Sequence, residues 1–125
     1  MVKRKAKYGS KKVAYNGIDF DSKKEMYCYI RLKSMQDEGE ISDLRLQVPF
    51  EIIPAVYETQ EVQLKTKVKV VTKCIQRAAY YVADFVYTDK DGNQVVIDAK
   101  GFRPYEYELK KKMMRAFLGI TIKEV

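Results

Sequence analysis

Two aspartates, Asp84 and Asp98, stand inside runs otherwise made of Val, Ala, Ile, Phe and Tyr, and Lys100 follows the second by two positions. A carboxylate in such a run is costly unless it is paired or binds a cation. Residues 78–88 and 94–100 read as two strands of a hairpin. If a five-residue loop over 89–93 joins them, Thr88 pairs with Gln94, and Asp84 then opposes Asp98. Their Cβ atoms would lie about 4.5–5.5 Å apart on one face, and Lys100 would point the same way. If Asp91-Gly92 makes a two-residue turn instead, the register slips by one and the carboxylates fall on opposite faces. Both registers are open on sequence alone. Two carboxylates that close ionise together when a cation lies between them. Oxygen donors on a rigid sheet suit Mg2+ or Mn2+, which take a few carboxylates with waters and phosphate oxygens. Lys100 would hold an attacking water or stabilise charge developing on phosphorus. The competing reading is a solvent-facing acidic pair at a sheet edge, which needs no metal.

Composition narrows the chemistry further. The 125-residue chain has no histidine, which excludes a Ser-His-Asp triad, a Cys-His dyad, a His-ligated zinc site and any imidazole base. Its 24 Lys and Arg against 17 Asp and Glu give a net charge of +7, unevenly spread. Residues 1–12 carry Lys3, Arg4, Lys5, Lys7, Lys11 and Lys12 with no acid, and residues 65–77 carry Lys65, Lys67, Lys69, Lys73 and Arg77 with none. Arg103, Lys110 and Lys111 lie in a third basic stretch, whereas residues 37–61 hold seven acids against Arg45. Segregation of this kind reads as a face for a polyanion, most simply DNA; a solvated, solubilising surface is the plainer alternative. Cys28 and Cys74 share no metal-like spacing. The basic N-terminus lacks the apolar stretch of a signal peptide, and no segment approaches a membrane span, so the chain reads as cytoplasmic with free thiols.

The elements that must position these residues are legible in outline. Residues 1–12 read as a basic arm and 13–125 as one domain. Val13–Phe20 reads as a short hairpin about Asn16-Gly17. Ser22 opens a helix over about 23–38. Leu44, Leu46, Val48, Phe50 and Ile52 alternate as a half-buried strand, with Pro49 and Pro54 pushing it toward an edge or requiring a bulge. Residues 56–76 read as a hairpin reaching out from the core, with one basic strand face. Pro104 opens a helix through about Leu118, and Ile120, Ile122 and Val125 suggest a closing strand. The expected fold is α/β, a mixed central β-sheet flanked by helices. Glu25 has two readings: Ser22-Lys-Lys-Glu25 has capping-box spacing, yet Glu25 also lies on the apolar face of its helix and is a candidate metal or water ligand. Gln47 reads as a hydrogen-bonded core position.

Asp84 followed by Asp98-Ala99-Lys100 resembles the P-D…(D/E)-x-K nuclease superfamily, with Ala83 where the motif has proline. More narrowly, Tyr8-Gly-Ser-Lys-Lys, Phe20-Asp-Ser-Lys-Lys-Glu25, Leu46-Gln-Val-Pro-Phe50, Tyr81-Val-Ala-Asp-Phe85 and Ile97-Asp-Ala-Lys-Gly101 are similar to a family of small phage and prophage proteins. The similarity runs over most of the chain and falters at about 57–77. That family has been grouped with resolvase-like and transposon-end nucleases. The resemblance implies a restriction-endonuclease-like core and Mg2+- or Mn2+-dependent cleavage of DNA, with a structure-specific activity as one form. Asp84 and Asp98 would bind the metal, Glu25 would complete or orient the site, and Lys100 would serve the nucleophile or the transition state. By the same resemblance Gln47 would be an accessory polar residue. It further implies a host bacterial cytoplasm and makes a homodimer natural for cutting two strands. The alternatives are a non-catalytic nucleic-acid-binding module on the same fold, and a phage protein that binds an acidic host partner through the basic ribbon.

Overall fold

Asn16 and Gly17 both take positive φ, 53° and 78°, as a type I′ turn requires, and they join β1 (Val13–Tyr15) to β2 (Ile18–Phe20). The structure is a computed structural model that describes residues 12–99 and 103–125. Most of the basic arm (residues 1–11) and Lys100 lie outside the described residues. The Ser22 side chain caps α1 (Lys23–Asp37) by accepting the Glu25 N–H at 3.2 Å. The helix buries Glu25, Cys28, Tyr29 and Leu32 on one face. The chain continues through β3 (Ser42–Ile53), β4 (Val56–Gln63), β5 (Val68–Gln76), β6 (Ala79–Thr88) and β7 (Gln94–Asp98). It closes with α2 (Tyr105–Leu118) and β8 (Lys123–Glu124). Gly119 ends α2 at φ 68°, a left-handed cap that glycine adopts without a Cβ penalty.

The central sheet runs β3-β6-β7-β8, antiparallel except for the parallel β7–β8 pair. It is therefore mixed, with β3 at one edge, where Pro49 is tolerated. Phe85 and Ile97 pack with Phe20, Tyr29 and Leu32 on the α1 side, while their neighbours Val86 and Val96 pack with Tyr107, Met114 and Ile122 on the α2 side. The two helices thus cover opposite faces of the sheet. Between β6 and β7, Asp89 Oδ1 accepts the N–H groups of Asp91 and Asn93 at 3.0 and 2.8 Å, which holds the five-residue loop open. Thr88 pairs with Gln94 and Phe85 with Ile97, so the hairpin has the wider-loop register.

The apolar alternation of β3 looks unbroken in sequence, yet it feeds two cores. Leu44 and Leu46 pack on the α1 side, whereas Val48, Phe50 and Ile52 pack on the α2 side. The change falls at Gln47, whose φ is 52°. Across the ladder, Tyr81 and Ala83 join the α2 side and Phe85 and Tyr87 the α1 side, so β6 changes face at Asp84. The pairs Leu46↔Phe85 and Val48↔Ala83 keep one register through the change. Gln47 and Asp84 therefore stand opposite each other where both strands exchange faces. Left-handed backbone at a non-glycine residue costs about 1 kcal/mol, so surrounding contacts must hold it in place.

Among the described residues, β4 and β5 pair only with each other, with Val62 opposite Lys69 and Glu58 opposite Lys73. At the ribbon's root, Gln76 Nε2 donates to the Pro54 carbonyl at 3.1 Å. The basic strand face is narrower than the expected one, which took Lys65, Lys67, Lys69, Lys73 and Arg77 together from their shared odd numbers. Lys69 and Lys73 lie in β5, but Lys65 and Lys67 lie in the turn and Arg77 follows the strand's end. Alternation cannot extend past the strand, so these three do not share its periodicity. Among the described residues, no helix is long and apolar enough to cross a membrane.

Candidate functional site

The face change at Gln47 and Asp84 brings α1 into the site. Gln47 Nε2 donates to Glu25 Oε1 at 3.1 Å and more weakly to Asp84 Oδ1 at 3.4 Å. Asp84 Oδ2 also accepts the Ala99 N–H at 2.9 Å, which ties the carboxylate to the end of β7. Glu25 and Asp84 are only 6% and 7% exposed, while Gln47, which bonds both, is an exposed residue. Glu25 lies in the first turn of α1, where the helix dipole favours an anion. The Ser22 half of the capping box is present, and the Glu25 carboxylate at the same time takes part in the site.

Asp98 is directed elsewhere. Ile97 and Ala99 belong to the α1-side core and Val96 to the α2-side core, so alternation turns Asp98 toward α2. Fully buried, it accepts the Tyr81 O–H at 2.7 Å through Oδ2. Burial and that bond push the Tyr81 phenol well above its usual range, so it remains a proton donor at neutral pH. The Tyr107 phenol is also pushed up, by burial and by the Asp98 and Glu124 carboxylates. Of Asp84, Asp98 and Glu25, expected as one metal ligand set, the structure joins Glu25 and Asp84 through Gln47 and bonds Asp98 to Tyr81. The register opposes the two aspartates, but the face change at Asp84 turns that carboxylate toward Gln47 and Glu25. Among the described residues, no group of three or more His, Cys, Asp or Glu side chains is disposed to hold an ion.

Sequence reasoning missed Glu124. It pairs with Asp98 across the parallel β7–β8 ladder, and it accepts bonds from Arg103 Nε, Lys111 Nζ and, at 3.1 Å, Tyr107 OH. The Lys111 bond outweighs burial, and with Arg103 and Tyr107 it holds the Glu124 carboxyl below its usual value. The signal was present: Glu124 continues the alternation of Ile120 and Ile122, both packed on the α2 side, just as Asp84 and Asp98 interrupt apolar runs. Arg103 and Lys111, expected as phosphate contacts, are gathered on this carboxylate, while Lys110 pairs with Glu106 one turn away at 3.2 Å. Lys12 is exposed; Lys3, Arg4, Lys5, Lys7, Lys11 and Lys100 lie outside the described residues. Burial raises the Cys28 thiol, which marks it as a packing residue rather than a nucleophile.

A family model described as a protein of unknown function (DUF1064) matches residues 5–121. No curated protein and no solved structure matches the chain.

Proposed function

The chain belongs to the DUF1064 family, whose description assigns no activity, and from its site we propose that it is a metal-dependent endonuclease that hydrolyses DNA phosphodiester bonds. The observation that carries this reading is the meeting of two buried carboxylates, Glu25 and Asp84, at the side-chain amide of Gln47 in a basic chain with no imidazole. The donor set fits the ion. Mg2+ binds through one or two carboxylates and takes its other oxygens from water and phosphate, so Glu25 and Asp84 suffice as protein ligands. A bound divalent ion acidifies water and neutralises charge on the scissile phosphate. Asp98, held by Tyr81, fixes the end of β7 from which Lys100 continues. Lys100 is assigned to the attacking water, as in the superfamily the sequence resembles. Hydrolysis adds water across one P–O bond and leaves a phosphate end and an alcohol end. The mixed sheet with a helix on each face supports the same reading.

The test offers the full chain linear, branched and single-stranded DNA with Mg2+ or Mn2+, beside Asp84→Asn and Glu25→Gln. Wild type is expected to cut at least one substrate. Asp84→Asn should lose cleavage by 100-fold or more and weaken Mn2+ binding in calorimetry, while metal-free DNA binding persists. Cleavage that survives Asp84→Asn, or a wild type that neither cuts nor binds a divalent ion, overturns the proposal. One observation favours a non-catalytic DNA-binding module: Asp98 serves Tyr81 rather than completing a three-carboxylate site. That reading expects firm DNA binding without metal binding.

A further inference from the structure

The ribbon β4–β5 has eight- and nine-residue strands, and almost every residue on both of its faces is exposed. Opposed residues of an antiparallel pair share a face. The register therefore sets Val62 with Lys69, Gln60 with Val71 and Glu58 with Lys73 on one side. Its turn adds Lys65 and Lys67, and its root adds Arg77, so residues 65–77 carry five cations and no acid, against Glu58 and Glu61 on β4, and the ribbon keeps a net positive charge. A two-stranded ribbon alone is marginally stable in water, and this one packs its length against no other described element. Its charge argues against a second copy as the occupant. Two β5 edges brought together would set lysines against lysines, an arrangement that native edges use to block pairing. Charge and shape both suit duplex DNA.

We propose that the β4–β5 ribbon enters the major groove of duplex DNA, with its Lys69 and Lys73 face toward the DNA; this rests on DNA being the substrate. The major groove of B-DNA is about 12 Å wide and admits a two-stranded ribbon. At roughly 3.4 Å per residue, the strands span about 27 Å, most of one helical turn of about 34 Å. Lys69 and Lys73 reach phosphates or guanine edges, and the turn lysines reach phosphates farther along the groove. Between them Gln60 and Val62 meet base edges, the amide suited to adenine and the valine to a thymine methyl. The ribbon thus selects duplex substrate and sets the distance from groove to cleavage site. An A-form RNA duplex, whose major groove is too deep and narrow for side chains, is excluded.

The experiment measures metal-free binding of the full chain to a short duplex by fluorescence anisotropy across a salt series. The Lys69→Gln/Lys73→Gln double variant should bind at least tenfold more weakly, with the log–log salt slope reduced by about 2, near 0.9 per lost phosphate contact. Wild type should lose comparable affinity on DNA whose cytosines carry glucosylated hydroxymethyl groups that fill the major groove. It should lose little to a minor-groove ligand such as netropsin, and it should bind double-stranded RNA poorly. The modified DNA keeps the test independent of how well the variant folds. An unchanged slope in the double variant, or indifference to the filled major groove, overturns the ribbon proposal and leaves the nuclease reading standing. A variant that shifts sedimentation but not DNA affinity makes a second copy the occupant and also overturns it. A wild type that binds no DNA removes both. Asp84→Asn, by contrast, loses cleavage while keeping this binding, so the two failures are distinguishable.

Discussion

Gln47 couples backbone to chemistry more tightly than any other residue in the site. Its φ of 52° sets the face change, and its amide joins Glu25 to Asp84. Gln47→Ala keeps the Cβ that disfavours left-handed backbone and removes both bonds, so it should cost about 1–3 kcal/mol. Gln47→Gly loses the same bonds but relieves the backbone, and should be milder by about 1 kcal/mol. Urea denaturation of the two variants checks this; equal losses would show that the backbone at 47 stores no strain. Asp98→Asn should leave the fold largely intact, because an Asn carbonyl still accepts the Tyr81 O–H, and circular dichroism melting reports it. Asp84 and Asp98 were legible because a charge inside an apolar run demands a partner. Gln47 was less legible, because a glutamine in an alternating strand carries neither a charge nor a glycine to betray the turn in its backbone. Glu25 was legible beside Asp84 from its place on the apolar helix face, whereas the face change that turns Asp84 from Asp98 was not.

Elements were legible where local chemistry dictates them and not where tertiary packing decides. Asn-Gly announced its hairpin, Ser22 its helix, and Gly119 the end of α2. The β6–β7 register stayed open because Asp91-Gly92 alone suits a two-residue turn, and Asp89's two side-chain bonds settle it in the structure. β8, two residues long, is fixed less by propensity than by Glu124, which joins it to α2 through Lys111 and Tyr107 and to Arg103. Those cations hold the Glu124 pKa below the ordinary 4.5. A carboxyl depressed in the folded state contributes stability above its unfolded pKa and loses it as pH falls through the folded one. Glu124→Gln should therefore cost roughly 1 kcal/mol near pH 7, discounted for a side chain still 23% exposed. The gap between wild type and variant should narrow as pH falls below the ordinary carboxylate value and close once pH passes the depressed folded one. A gap that does not narrow at all on acidification in denaturant melts would show that the ion pairs are not its source.

Across the whole molecule, the charge map separates two cationic segments, the arm and residues 65–77 of the ribbon, from an acidic stretch over 37–61 that ends within β4, and a polyanion would feel both. Deleting residues 1–12 removes six cations. Each phosphate contact contributes about 0.9 to the log–log salt slope of duplex binding, so the truncated chain should show a slope flatter by up to about 5. The deletion stops short of β1, which begins at Val13, and a thermal melt of the truncated chain checks that the domain stays folded. Arm and ribbon are separate segments with no shared cation. Truncation combined with Lys69→Gln/Lys73→Gln should therefore add the two slope changes, because contacts that share no partner act independently. Anisotropy titrations from low to moderate salt, without metal so that no substrate is cut, measure all four proteins. A truncated chain with the wild-type slope would place the arm off the DNA. A combined change well below the sum would mean that arm and ribbon compete for the same phosphates, which would set the ribbon across the backbone rather than along the groove.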